Sequence, residues 1–149
     1  MRYFEDFEPG ASHQLGSRVM SKAAIIGFAQ QFDRLPFHVD EEAAAKSLFK
    51  GLIASGLHTL SVAASIVVDE FLAGAAMAGG AGMNNVRWTK PVRPGDEISV
   101  HLTISQVESH PKLQQLGVVS TLQKVTTQDG SVVMTGEVDY LFVKRPQHC

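Results

Sequence analysis

Within one short stretch, three groups have the types and spacing needed for proton transfer. Between Gln31 and His58 the chain carries Asp33, then His38 five residues on, then Ala54-Ser55-Gly56 at the entry to a long apolar run. A carboxylate and an imidazole can hold and pass protons, and imidazole titrates near neutrality. The first N–H groups of a helix lack partners within it and point outward from its end. An acid, an imidazole and a helix N-terminus are the parts required for acid/base chemistry on a carbonyl compound, where negative charge develops on oxygen.

Each of these residues also has a plainer reading. Asp33 ends a helical run and can be a simple turn cap, although a carboxylate at that end opposes the helix dipole. His38 alone reads as a structural or exposed histidine; beside Asp33 it can share one water. Ser55 and Gly56 suit tight helix packing, or they leave first-turn N–H groups free for an oxygen. Ser55 is not a nucleophile, because its surroundings form no Gly-x-Ser-x-Gly elbow. Asp40 and Glu41 beside His38 read as a solvated helix start with favourable dipole, not as metal ligands. No Cys/His cluster has zinc spacing, and neither metal nor redox cofactor is expected.

The elements around these residues follow from pattern. Ser21 is a helix N-cap, and apolar residues from Ala23 to Ala29 at helical spacing predict a helix over 22–32. Pro36 stops its continuation and places His38 in a turn. Asp40 to Ala45 reads as a short helix. Residues 54–71 are apolar nearly all round and predict one long, largely buried helix. Gly74 to Gly82 reads as a loop without the Lys-Ser/Thr ending of a phosphate cradle. Beyond it the period changes to two. Besides a short strand around 13–19, strands are expected over 83–88, 97–107, 113–127 and 132–144, with turns at Pro94-Gly95-Asp96 and Gln128-Asp129-Gly130. A greasy helix followed by an antiparallel meander is an α+β arrangement, with helices against one face of a sheet.

Composition narrows the class. The 149 residues, 44% hydrophobic and 19% charged, suit one globular domain over 1–149. A net charge of −2 gives no reason to expect nucleic acid. The sole cysteine, Cys149, excludes an intrachain disulfide, which is compatible with the cytoplasm. The acidic N-terminus is no signal peptide, and the longest apolar region is broken by His58, Asp69 and Glu70, so no membrane span is expected.

The stretch Asp33-Arg34-Leu35-Pro36-Phe37-His38-Val39-Asp40 resembles the Asp-x-Asn-Pro-(aliphatic)-His-x-Asp motif of the MaoC-like acyl dehydratases, the family of the (R)-specific enoyl-CoA hydratases. Phe49 to His58 resembles the family's second block, and Arg87 to Asp96 is similar more weakly. Leu35 stands where the motif has Asn, so an amide able to brace the site is missing. The resemblance implies a hot-dog fold, an antiparallel sheet curled round a central helix. It also implies two-fold pairing of chains edge to edge, as a homodimer or dimer of dimers, with the site at the interface. On this likeness Asp33 and His38 are catalytic and the Gly56 N–H holds the thioester oxygen. Ser55, Leu35, Phe37, His58 and Arg87 then surround an acyl-CoA or acyl-carrier-protein thioester. His58 is either a hydrogen-bonded core histidine or a wall of the acyl pocket. Trp88 reads as core or dimer packing. Arg87, Lys90 and Arg93 read as a solvated strand face or as a basic rim for coenzyme A phosphates.

The activity so implied is hydration of a 2-enoyl thioester, or the reverse. Asp33 and His38 would bind one water, one group taking its proton while the other returns a proton to Cα, with either division of roles compatible with the sequence. Two alternatives stand beside it. A thioesterase of the same fold would activate water against the carbonyl carbon, but such enzymes usually lack the Asp…His pair. A binding module without activity would be consistent with Leu35.

Overall fold

The computed structural model describes residues 1–148. After a turn of 3-10 helix at Phe4–Asp6, strand β1 spans Ser12–Val19 and helix α1 spans Lys22–Phe32. Ser21 caps α1 by accepting the Ala24 N–H. Two short helices follow, α2 at Pro36–Val39 and α3 at Glu41–Ala45. The turn expected around His38 is thus itself one helical turn. Pro36 occupies its first position, where a missing N–H costs nothing. Asp40 does not begin α3 but caps it, accepting from the N–H groups of Glu42 and Ala43.

The long helix α4 runs Gly56–Val67 and passes into a π-helical turn at Val68–Leu72. It therefore starts later than expected and changes winding before Phe71. The wider turn lets Phe71 bury while Asp69 bonds Arg18 and Glu70 takes the Gly16 N–H of β1. Nor is α4 buried all round. Ala63, Ile66 and Val67 are inside, whereas Leu57, Ser61 and Val68 face outward. The apolar composition on that outer side does not mark core in this chain.

Strands β2 (Met77–Trp88), β3 (Glu97–Ser109), β4 (Leu116–Thr126) and β5 (Val132–Val143) join β1 in one antiparallel sheet of order β1-β3-β4-β5-β2. On β3, Ile98, Val100, Leu102 and Ile104 are buried at period two and face α4. The Gly74–Gly82 segment expected to be a loop is largely strand. Gly79, Gly80 and Gly82 lie in β2, which among the described residues pairs only with β5 and slips register three times along its length. Glycine hides the period-two pattern because it has no side chain, and the ladder to β5 fixes the strand instead. Among the described residues no helix is long and apolar enough to cross a membrane.

Candidate functional site

α1 ends at Asp33, whose N–H still bonds the Ala29 carbonyl at 2.8 Å while its own backbone has left helical geometry. The side chain is thereby turned toward α2. His38 is held by two bonds that tie α2 to the segment before α4. The Ile53 N–H donates to the Phe37 carbonyl at 3.1 Å, and His38 Nδ1 lies 2.8 Å from the Ile53 carbonyl. A carbonyl only accepts, so Nδ1 carries a proton and donates it there. Nε2 is left facing Asp33 Oδ2 at 3.4 Å. The imidazole is buried and the carboxylate partly so.

Ser55 caps α4. Its Oγ accepts the Leu57 N–H at 3.2 Å and donates to Asp33 Oδ2 at 2.7 Å. The hydroxyl is fully buried and engaged on both sides. Beside it, the Gly56 N–H has no hydrogen-bond partner among the described residues, as the first turn of a helix leaves it. The indole Nε1–H of Trp88 donates to the Gly56 carbonyl at 2.8 Å. A Cβ on Gly56 would lie 2.4 Å from Trp88 Cε2, so only glycine fits under the ring.

These groups line one cavity of about 520 Å³. Asp33, His38, Ser55 and Gly56 all border it, and so does Phe37. Its apolar walls include Phe49, Ile53, Val92 and Val133, and Lys90 also borders it. Three residues expected near substrate, Leu35, His58 and Arg87, are not in the lining of this cavity. Leu35 is about half exposed and forms the uncapped start of α2. Arg87 is exposed and bonds the Val86 carbonyl. His58 is buried against Phe28, the rings stacked with centroids 4.8 Å apart. It is not the hydrogen-bonded core histidine expected, because Nδ1 has no partner. Burial pushes its imidazole below the ordinary value of 6.5, so it stays neutral at pH 7. Neither reading of Arg87, Lys90 and Arg93, a solvated strand face or a basic rim, describes Arg93, which donates to the Phe49 carbonyl at 2.6 Å and braces the cavity wall.

Two lining residues escaped the sequence reading. Thr59 is buried one turn beyond Ser55, and their i, i+4 spacing was the available signal. Trp88 was read as packing; nothing local announces that it reaches across to Gly56, 32 residues away. Among the described residues, no group of three or more His, Cys, Asp or Glu side chains could hold a metal ion.

A carboxyl group and the imidazole Nε2 converging on one point, beside a free backbone N–H and an apolar wall, make a site for moving protons on a carbonyl compound. The profile described as MaoC like domain matches residues 6–128. The chain belongs to the MaoC-like dehydratase family and has its hot-dog fold. It is 36% identical over 142 residues to the uncharacterized protein YdeM of Bacillus subtilis, covering 95% of this chain and 98% of that one. It is 24% identical over 145 residues to an (R)-specific enoyl-CoA hydratase of Rhodospirillum rubrum, covering 97% and 94%. The crystal structure of a MaoC-like dehydratase from Rhodospirillum rubrum superposes with a TM-score of 0.89 at 33% identity, covering 99% and 100%.

Proposed function

We propose that the protein is a hydro-lyase that adds water across the 2,3 double bond of an enoyl thioester, or removes it, with (3R)-hydroxyacyl stereochemistry. The observation that carries this reading is the 3.4 Å separation of His38 Nε2 and Asp33 Oδ2 at the wall of the cavity. A water bound to both would attack Cβ through its oxygen. One of the pair enters deprotonated and takes a proton from that water, while the other enters protonated and delivers its proton to Cα; passing a proton back between the two resets the site. The Gly56 N–H bonds the thioester oxygen as it gains enolate character, an interaction of a kind worth about 2.7–4 kcal/mol. Written this way, the step balances without a metal or redox cofactor. The name of the Rhodospirillum rubrum hydratase supports the reaction class, and the apolar walls suit an acyl chain.

The thioester would be carried by coenzyme A or by an acyl carrier protein, a reading supported by Lys90 at the cavity border, whose ammonium could meet phosphate oxygens. The reading includes a homodimer in the cytoplasm. β2 is an edge strand with unpaired backbone groups along one side, and such edges invite pairing. Sedimentation should give at least twice the 16.1 kDa chain mass at micromolar concentration; a monomer alone would refute the pairing.

The deciding experiment offers purified protein a series of enoyl-CoA substrates of rising length and follows loss of the conjugated double bond and the chirality of the product. Turnover to (3R)-hydroxyacyl-CoA is expected. Hydrolysis of saturated acyl-CoA without hydration would replace this reading with a thioesterase. Binding without either reaction would leave an acyl-thioester-binding module.

A further inference from the structure

Trp88 is the only tryptophan in the chain, and its position is unusual for a bulky apolar residue. It is 50% exposed, it borders the cavity, and it hydrogen-bonds a backbone group in the first turn of α4. We propose that Trp88 is the positioning residue for the Gly56 N–H and a wall against which the acyl thioester lies, an inference that rests on the hydro-lyase reading above.

The geometry at Gly56 supplies the reason. Glycine is required there because the indole packs directly on its Cα, at distances that would put Trp88 atoms 2.4 to 2.7 Å from any Cβ. Glycine is also the residue least able to hold its own backbone direction. An N–H that must meet a developing oxyanion gains from being fixed beforehand, since donors that need not reorganise stabilise charge best.

Both peptide planes flanking Gly56 are in fact anchored. In the plane before it, the Ser55 carbonyl accepts from the His58 and Thr59 N–H groups at 3.0 and 3.1 Å. In the plane after it, the Leu57 N–H goes to Ser55 Oγ and the Gly56 carbonyl takes the indole N–H. The indole thus restrains from outside the helix a backbone that the missing side chain leaves loose.

Trp88 can serve as that anchor because its own strand end is tied down. It pairs with Met134 on β5, and the next residue, Thr89, bonds the Val133 carbonyl through its N–H and the Val132 carbonyl through its hydroxyl. Half of the indole's surface remains exposed, and the ring borders the cavity.

The test uses the single indole. In 15N-labelled protein one indole N–H resonance is expected. Titration with butyryl-CoA, a saturated thioester that cannot be hydrated, should shift it with a half-point matching inhibition of crotonyl-CoA hydration. Trp88→Phe keeps an aromatic wall and removes the donor. It should lower kcat about tenfold, as expected for one lost hydrogen bond, with KM within about twofold, because the lost interaction acts in the transition state. A folded Trp88→Phe protein with wild-type kcat overturns the positioning role. An indole resonance unmoved by saturating butyryl-CoA, in protein that hydrates crotonyl-CoA, overturns the wall. An indole that shifts in wild-type protein hydrating no enoyl-CoA sinks the reaction, and with it the positioning role, and supports the wall.

Discussion

Ser55 Oγ donates to Asp33 Oδ2 across 2.7 Å, although the two residues belong to different helices and lie 22 positions apart. The same oxygen caps α4 through the Leu57 N–H. One hydroxyl therefore starts the central helix and holds the acid of the site in place. Ser55→Ala should lose both. An N-cap loss costs about 0.5–2 kcal/mol, and the freed carboxylate adds a drop in kcat of roughly tenfold. Thermal melts and steady-state kinetics on one preparation separate the two effects; unchanged kcat would mean that the bond to Asp33 does not position it.

The pair Asp33 and His38 should behave as a unit. Asp33→Asn or His38→Ala is expected to cut hydration kcat by about 10²-fold or more, and the double variant to lose little beyond either single one. Fully multiplicative losses in the double variant would show that the two act in separate steps.

Leu35→Asn tests the departure from the family motif. Leu35 sits at the N-cap of α2 and makes no side-chain cap there. Asparagine at that place can accept a first-turn N–H, so stability should rise by about 0.5–1 kcal/mol. Activity should be kept or raised, since Leu35 lies outside the cavity lining. Denaturant midpoints and kcat/KM check both; a less active, less stable variant would give Leu35 a role of its own.

His58 predicts a pH dependence of stability. Its folded value lies below 6.5 through burial. Well above pH 6.5 it is neutral in both the folded and unfolded chain and carries no protonation penalty. As pH falls below 6.5 the unfolded chain takes up the proton first, so this residue's penalty grows until the folded value is passed. Urea midpoints at pH 7.5 and 5.5 should fall further for wild type than for His58→Leu. Equal falls would remove His58 from the account.

Much of the fold is legible locally. Ser21, the apolar spacing of α1 and Pro36 mark helix α1 to the residue, and period-two burial on β3 matches its sequence pattern. These signals work because caps, prolines and alternation act within a few residues of themselves. The Asp33…His38 spacing likewise pointed to proximity, since only a single break separates α1 from α2. β2 was not legible: its glycines carry no pattern, and its partners on β5 lie 46 (Trp88↔Met134) to 65 (Met77↔Phe142) residues later.

What the amino-acid order determined alone was therefore α1, the middle of α4, most of the strands and the closeness of Asp33 to His38, all set by short-range geometry. Tertiary structure decided which nitrogen of His38 faces Asp33, by engaging the other with the Ile53 carbonyl. It also decided that Ser55 turns to Asp33 rather than to the cavity space, that Trp88 covers Gly56, and that His58 stacks on Phe28 outside the cavity. Each of these is one contact between distant segments. Such a contact depends on where whole elements pack, and no local propensity in the chain encodes it.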